Sequence, residues 1–108
     1  MWTVYETKAV TKEVAKLPRQ VQRKYKVWVE VVKNGGAANL RNFPGFKDEA
    51  LKGELRDCRS ASLNIQYRVI YSEKKDIREI IVVKVTPHEY RHKKKPKSSS
   101  SYDHIKPR

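Results

Sequence analysis

The sequence contains little cysteine and little histidine, and this scarcity limits the chemistry open to it. The single cysteine, Cys58, has no partner for an internal disulfide, which is typical of a protein from a reducing cytosol. We expect Cys58 to be a small core residue in a strand rather than a nucleophile. The three histidines, His88, His92 and His104, are scattered and lack metal-ligand spacing. We therefore predict neither a metal site nor a cofactor.

Long hydrophobic runs are also missing. The N-terminal residues Met1–Glu6 form no apolar segment of the kind found in signal peptides, and no stretch approaches the length needed to span a membrane. We therefore expect a cytoplasmic protein that does not contact a membrane. Only 38% of the residues are hydrophobic and 34% are charged, which predicts a compact core and a heavily solvated surface.

Acidic residues are scarce compared with basic ones. There are 25 Lys and Arg against 12 Asp and Glu, so the net charge is +13. A basic surface gains affinity by releasing counterions from phosphates, which makes a polyanion the expected partner. The alternative is a soluble basic protein whose charge has no specific role.

The first third of the chain predicts a strand followed by two helices. Trp2–Tyr5 alternates large apolar and smaller residues, as a short strand does. Either Thr7 or Thr11 suits the cap of a first helix, which ends near Pro18. A second, amphipathic helix is predicted over Arg19–Lys33. Its apolar stripe consists of Val21, Tyr25, Trp28, Val29 and Val32.

Three further strands are predicted at Gly53–Arg59, Asn64–Ser72 and Ile77–Thr86. The turn at Ser72–Asp76 makes the last two an antiparallel hairpin. The apolar run Ile80–Val83 indicates a central strand buried on both faces. The order β-α-α-β-β-β predicts an α+β fold, with a small, mostly antiparallel sheet and a helix pair on one face.

The strand Asn64–Ser72 is predicted to have two different faces. One face, towards the helices, carries the residues Ile65, Tyr67, Val69 and Tyr71. The other carries Asn64, Gln66, Arg68 and Ile70. Arg68 is thus expected on the more polar face, opposite the helix layer.

The composition changes sharply after Arg91. Residues 92–108 are rich in lysine and serine and have no apolar period, so we predict a folded domain over residues 1–91 and a flexible basic tail over 92–108. The tail is either a solubilising terminus or an electrostatic tether to a nucleic acid.

Titratable and basic residues in the second half of the chain suit phosphodiester chemistry on RNA. Metal-free cleavage needs a base for the 2′-hydroxyl, charge stabilisation at phosphorus and a proton for the leaving oxygen. Arg68 suits the second role because its guanidinium donates to two phosphate oxygens. His88 titrates near neutrality and suits proton transfer, and Tyr90 can stack on a base or orient the phosphate. The phosphates on either side of the cleaved one are expected to be bound by Lys52, Arg56, Arg59 and Arg91.

Each assignment has a plain structural alternative. The alternatives are a surface arginine for Arg68, an exposed turn histidine for His88 and a residue that seals the sheet edge for Tyr90. Individually, the flanking basic residues are typical of solvated surface charge.

Several short motifs resemble those of a known family. They are A-L-K-G at Ala50–Gly53, R-D-C at Arg56–Cys58, Y-R-V-I-Y at Tyr67–Tyr71 and H-E-Y at His88–Tyr90. With the helix pair before them, they make residues 1–91 similar to the RelE/ParE toxin superfamily, and especially to its RelE/StbE and YafQ-like branches. The resemblance implies a toxin of a type II toxin–antitoxin system that cleaves mRNA in the ribosomal A site and is silenced by a cognate antitoxin.

The chain departs from the YafQ-like pattern at two positions. Glu49 and Arg59 stand where those relatives place histidines. Because glutamate is the base in some related toxins, the resemblance leaves Glu54 and Glu49 as alternative general bases.

Two other functions remain open from the sequence. One is a ParE-like toxin that inhibits DNA gyrase without catalysis, and the other is a basic RNA-binding protein. For the toxin interpretation, the expected partners are an antitoxin, the ribosome and mRNA, and the toxin–antitoxin complex is a candidate for binding operator DNA.

Overall fold

The computed structural model describes residues 1–87 of the chain. The predicted domain boundary at residue 91, the predicted tail at 92–108 and the candidate site residues His88, Tyr90 and Arg91 lie outside the described residues. None of the helices within residues 1–87 is long and apolar enough to cross a membrane.

Within the described residues, a sheet of five strands organises the fold. The strands are β1 (Thr3–Glu6), β2 (Glu49–Ala50), β3 (Arg59–Ser62), β4 (Tyr67–Lys74) and β5 (Glu79–Pro87). Their spatial order is β1-β5-β4-β3-β2, with β1 parallel to β5 and the other neighbours antiparallel. The predicted α+β fold with a mostly antiparallel sheet is confirmed, while the short strand β2 was not predicted.

Two helices supply the other half of the core. Helix α1 (Lys8–Ala15) begins after Thr7, whose side-chain oxygen accepts a hydrogen bond of 3.1 Å from the Val10 amide. This oxygen satisfies one of the amides that a helix start leaves unpaired. Helix α2 (Arg19–Lys33) follows Pro18 directly.

The packing of α2 centres on Trp28, which is fully buried. Its ring stacks on Tyr25 at 5.8 Å and meets the edge of Tyr71 from β4 at 5.0 Å. The predicted stripe is correct except at one position, because Val31 is buried and Val29 is only half-buried. The aromatic contact ties α2 to the middle of the sheet.

The predicted strand Gly53–Arg59 is wrong over most of its length. Gly53–Leu55 forms a 3₁₀ turn, and Gly53 itself has a φ of +71°, a left-handed conformation that interrupts an extended chain. Hydrogen bonds from the Cys58 amide to the Leu55 carbonyl and from the Leu51 amide to the Cys58 carbonyl close the loop. Cys58 is therefore a half-buried loop residue and not a core residue of a strand.

The start of the predicted strand Asn64–Ser72 is also wrong. The Asn64 side-chain oxygen accepts hydrogen bonds from the amides of Gln66 and Tyr67, so the chain turns before β4 begins. Ile65 is 79% exposed at this turn and does not join the core. At the other end, β4 continues to Lys74, into the segment Ser72–Asp76 that was predicted to be a turn.

The apolar run in β5 is only partly buried on both faces. The strand is central, as predicted, because it lies between β1 and β4. However, Val83 is 40% exposed. The reason is a β-bulge: Tyr71 pairs with Val82 and Ile70 pairs with Lys84, which leaves Val83 without a partner in β4.

Candidate functional site

The side chains of the sheet divide between a face covered by the helices and the opposite face, which we call the distal face. Val69 and Tyr71 belong to the same buried cluster as the helices and mark the covered face. Side chains alternate along each strand, and residues opposite one another on paired strands share a face. Among the residues that strands β2 to β5 place on the distal face are Glu49, Ser60, Ser62, Arg68, Ile70, Lys84 and Thr86.

Arg68 lies in the middle of one row on this face. It is the second residue of β4, and its direct partners are Ser62 on β3 and Thr86 on β5. The side chain is partly buried, and its Nε atom is buried without a hydrogen-bond partner within residues 1–87. Arg68 is on the face that the alternation predicted, although Asn64 and Gln66 do not accompany it because they precede the strand.

A buried hydrogen-bond donor without a partner lowers the stability of the folded protein. A buried polar group without a partner carries a desolvation penalty of about 1–3 kcal/mol, and more if it is charged. An arginine held in this state, between two hydroxyl-bearing residues, is suited to an anion that would accept from Nε.

A second row lies one step along the strands. It runs from Glu49 on β2 through Ser60 and Ile70 to Lys84 on β5. Ser60 and Ile70 are each only 3% exposed, whereas Lys84 is partly buried. Lys84 was not among the site residues predicted from the sequence.

The two candidate carboxylates differ in their relation to Arg68. Glu49 lies in the sheet on the distal face, opposite Ser60. Two strand spacings and two residues separate it from Arg68, which corresponds to roughly 12 Å between Cα atoms. Glu54 lies in the exposed 3₁₀ turn outside the sheet. Only Glu49 is thus placed by the sheet itself on the face of Arg68.

The predicted phosphate-binding residues do not form one group. Lys52 and Arg56 are exposed in the connection between β2 and β3, where one terminal nitrogen of Arg56 donates to the Gly53 carbonyl. Arg59 pairs with Tyr71 across β3 and β4, and therefore lies on the covered face. The structure separates Arg59 from Arg68.

Arg59 instead makes an internal ion pair. Its Nη2 lies 2.6 Å and its Nε 2.8 Å from Oδ2 of Asp48, while the Tyr71 hydroxyl donates to Oδ1 of the same carboxylate. The hydrogen bond to Asp48 raises the pKa of Arg59. Burial, with help from the Asp48 carboxylate, raises the pKa of Tyr71 above its usual range. This network fixes the residue that precedes Glu49.

A cleft of about 450 Å³ borders the Asp48 ion pair. Arg41, Lys47 and Lys75 are among its lining residues, and all three are exposed. Lys47 has a φ of +48°, which is uncommon for a residue other than glycine. Because Arg59 and Asp48 belong to the covered side of the sheet, this basic cleft is separate from the row of Arg68.

Within the part of the chain that the structure describes, neither Cys58 nor a metal-binding cluster extends the site. Burial, and then the charge of Asp57, raise the pKa of the Cys58 thiol, which disfavours the nucleophilic thiolate. Residues 1–87 contain no group of three or more His, Cys, Asp or Glu side chains that could hold a metal ion.

The C-terminal end of the described part of the chain lies beside Arg68. Pro87, the last described residue, pairs with Tyr67, the neighbour of Arg68 in β4. The next candidate residues in the sequence, His88, Tyr90 and Arg91, lie outside the described part of the chain.

Solved structures with the same fold are toxins of toxin–antitoxin systems. One is archaeal RelE in the RelE–RelB complex from Pyrococcus horikoshii OT3, with 26% identity and a TM-score of 0.60 over 80% of this chain and 93% of that one. The chain has the RelE toxin fold. The predicted resemblance to this superfamily is thus confirmed.

Solved structures with lower sequence identity to this chain share the RelE-type fold. The YoeB–YefM toxin–antitoxin heterotetramer from Staphylococcus aureus contains a chain with 16% identity and a TM-score of 0.65, covering 82% of this chain and 99% of that one. YafQ from E. coli strain BL21(DE3) has 13% identity and a TM-score of 0.64, with coverages of 82% and 94%. No protein-family model and no curated protein sequence matches the chain.

Proposed function

We propose that the chain is the toxin of a type II toxin–antitoxin system and acts as a ribosome-dependent, metal-independent mRNA endoribonuclease. The observation that carries this proposal is Arg68, partly buried on the distal face with its Nε buried and unpartnered. The RelE toxin fold and the charge of +13 support the same function.

Arg68 is assigned to the phosphate that is cleaved. In-line attack by a 2′-hydroxyl places extra negative charge on the phosphorane oxygens, and donors fixed before the reaction stabilise this charge most effectively. The guanidinium remains charged and donates from a planar group, so it can contact two oxygens at once. Its strand position limits its motion, which suits this role.

Glu49 is assigned as the general base in preference to Glu54. A base must reach the 2′-hydroxyl while the phosphate contacts Arg68, which requires both side chains on one surface. Glu49 meets this condition through its pairing with Ser60, whereas Glu54 lies in a turn outside the sheet. A substrate lying between Glu49 and Arg68 would bridge their separation of roughly 12 Å.

The remaining roles are assigned to residues that follow β5. His88 is proposed to give the proton to the leaving 5′-oxygen, and Tyr90 to stack on a base or orient the phosphate. The position of Pro87 beside Tyr67 supports these assignments because it brings the chain close to Arg68 just before His88. Lys52, Arg56 and Arg91 are proposed to bind flanking phosphates, whereas Arg59 is reassigned to holding Asp48.

A cognate antitoxin is the proposed protein partner. RelE from Pyrococcus horikoshii forms a complex with RelB, and YoeB from Staphylococcus aureus forms a heterotetramer with YefM. An acidic or amphipathic segment would complement the net charge of +13 here. Binding of the toxin–antitoxin complex to operator DNA belongs to the same proposal.

Induced expression followed by primer extension on cellular mRNA tests this function. We expect new 5′ ends within translated codons and a halt in protein synthesis, and Arg68→Ala should abolish both at an equal protein level. DNA damage without mRNA cleavage would instead favour the ParE-like inhibitor of gyrase. RNA binding with neither effect would favour a simple basic RNA-binding protein, and both of these results contradict the nuclease.

A further inference from the structure

The β-bulge in β5 decides where Lys84 points. Ile80 and Val82 are fully buried on the covered face, so strict alternation would direct Lys84 into the core. Because Val83 is the extra residue, Lys84 pairs with Ile70 and faces the distal side instead. Bulges commonly redirect a side chain beside an active site.

The bulge places Lys84 next to Arg68. Thr86 is the direct partner of Arg68, and Lys84 stands two residues before Thr86 on the same strand and face. Diagonal neighbours of this kind lie about 7–8 Å apart, within reach of two long side chains. Two cations therefore converge on one patch of the sheet.

These cations lack acidic partners in the described part of the chain. Lys84 and Arg68 take part in neither of the ion pairs found within residues 1–87. The carboxylate of Glu13, which approaches β5 from α1, accepts from the Val85 amide at 3.1 Å and is engaged there. Like charges at neighbouring positions of a sheet repel, and an anion bound between them would remove this repulsion.

We propose that Lys84 is a second phosphate-binding residue, and that Lys84 and Arg68 contact the same phosphodiester of an RNA strand on the distal face. This inference takes its substrate from the function proposed above. Arg68 donates its planar group to two phosphate oxygens, and Lys84 adds a compact charge from the neighbouring strand. The hydroxyls of Ser62 and Thr86 flank the same patch.

A double-mutant cycle between Lys84 and Arg68 tests the shared phosphate. The variants are Lys84→Met, which keeps the aliphatic stem, Arg68→Gln and their combination. Lys12→Gln is the matched control because it removes one exposed positive charge from α1, on the covered side of the sheet. Each is compared for single-turnover cleavage of mRNA on programmed ribosomes and for binding of a 2′-O-methyl RNA, which cannot be cleaved.

Lys84→Met should lower cleavage and affinity about 10- to 100-fold, as expected for a lost charged hydrogen bond. The log–log salt slope of binding should shrink by about 0.7, the value for one phosphate contact on a single strand. In the double variant Lys84→Met/Arg68→Gln, the fold loss in cleavage and affinity should be much smaller than the product of the two single losses. In the control pair, the losses caused by Lys12→Gln and Arg68→Gln should multiply. Lys84→Arg should retain most of the affinity.

The outcomes separate this inference from the nuclease function. If the wild type cleaves mRNA but Lys84 and Arg68 combine multiplicatively, or Lys84→Met behaves like Lys12→Gln, the role of Lys84 is contradicted and the nuclease stands. If the wild type does not cleave but the two residues are coupled in binding, the shared phosphate stands and the nuclease is contradicted. If Lys84→Met does not fold, Lys84→Gln takes its place in the cycle, and losses that combine multiplicatively with those of Arg68→Gln contradict the inference.

Discussion

Arg59 holds Asp48 through two of its guanidinium nitrogens, with Nη2 at 2.6 Å and Nε at 2.8 Å from the same carboxylate oxygen. The other oxygen of Asp48 accepts from the Tyr71 hydroxyl, and the Asp48 side chain is only 10% exposed. This contact connects the buried centre of the sheet to the start of β2. The proposed base, Glu49, is the next residue, so the ion pair also sets its position.

Removal of the Asp48 carboxylate should destabilise the fold. Asp48→Ala leaves the Tyr71 hydroxyl and the Arg59 guanidinium without an acceptor, and we expect a loss of about 2–3 kcal/mol in the free energy of unfolding. Urea unfolding followed by circular dichroism measures this loss. Glu30→Ala, which breaks the exposed pair with Lys33 at 3.9 Å, should cost less than about 1 kcal/mol. Equal losses in the two variants would contradict the structural role assigned to Arg59.

The assignment of the base predicts different effects for two glutamates. Glu49→Gln should lower single-turnover cleavage by about 100-fold or more, because general base catalysis contributes on that order. Glu54→Gln is the matched control, since it makes the same chemical change in an exposed turn and should leave cleavage nearly unchanged. A large loss in Glu54→Gln with normal activity in Glu49→Gln would transfer the role to Glu54.

Buried tyrosines should make the protein less stable in alkali. Burial, and then hydrogen bonds to Glu6 and Asp48 respectively, raise the pKa values of Tyr25 and Tyr71 above the usual range. Unfolded tyrosines ionise near pH 10, whereas these two keep their protons in the folded state. The free energy of unfolding should therefore fall as the pH rises through about 10.

Absorbance of tyrosinate and circular dichroism, followed together, measure this behaviour. Among the six tyrosines, Tyr25 and Tyr71 should ionise only when the circular dichroism signal is lost, and Tyr71→Phe should lower the number of tyrosines that ionise with unfolding by one. Ionisation of all six in a folded protein would contradict the burial of these hydroxyls.

The parts of the fold that follow from hydrophobic periodicity could be predicted, whereas the parts that depend on particular side-chain hydrogen bonds or on distant contacts could not. The stripe of α2 and the face of Arg68 follow from periods of 3.6 and 2 residues. The exposed turn at Ile65 arises because the Asn64 side chain binds local amides, and this competes with a strand that composition favours.

The candidate site shows the same division. Arg59 has the residue type of a phosphate ligand, but its partner Asp48 is brought close only by the pairing of β2 with β3. Lys84 was missed because the register change at Val83 cannot be read from alternation alone. Arg68 could be identified because the motif Y-R-V-I-Y places it in the strand without the help of other elements.

Single-turnover cleavage of an mRNA on programmed ribosomes, with Arg68→Ala beside the wild type, tests the central claim most directly. Removing one donor that stabilises the transition state should lower the rate by about 100-fold or more. The free energy of unfolding should not fall by more than about 1 kcal/mol, because Nε of Arg68 has no hydrogen-bond partner and its guanidinium makes no ion pair within residues 1–87. Arg23→Ala, which removes an exposed arginine from α2, should cleave normally. An Arg68→Ala protein that is folded and cleaves at the wild-type rate would contradict the account.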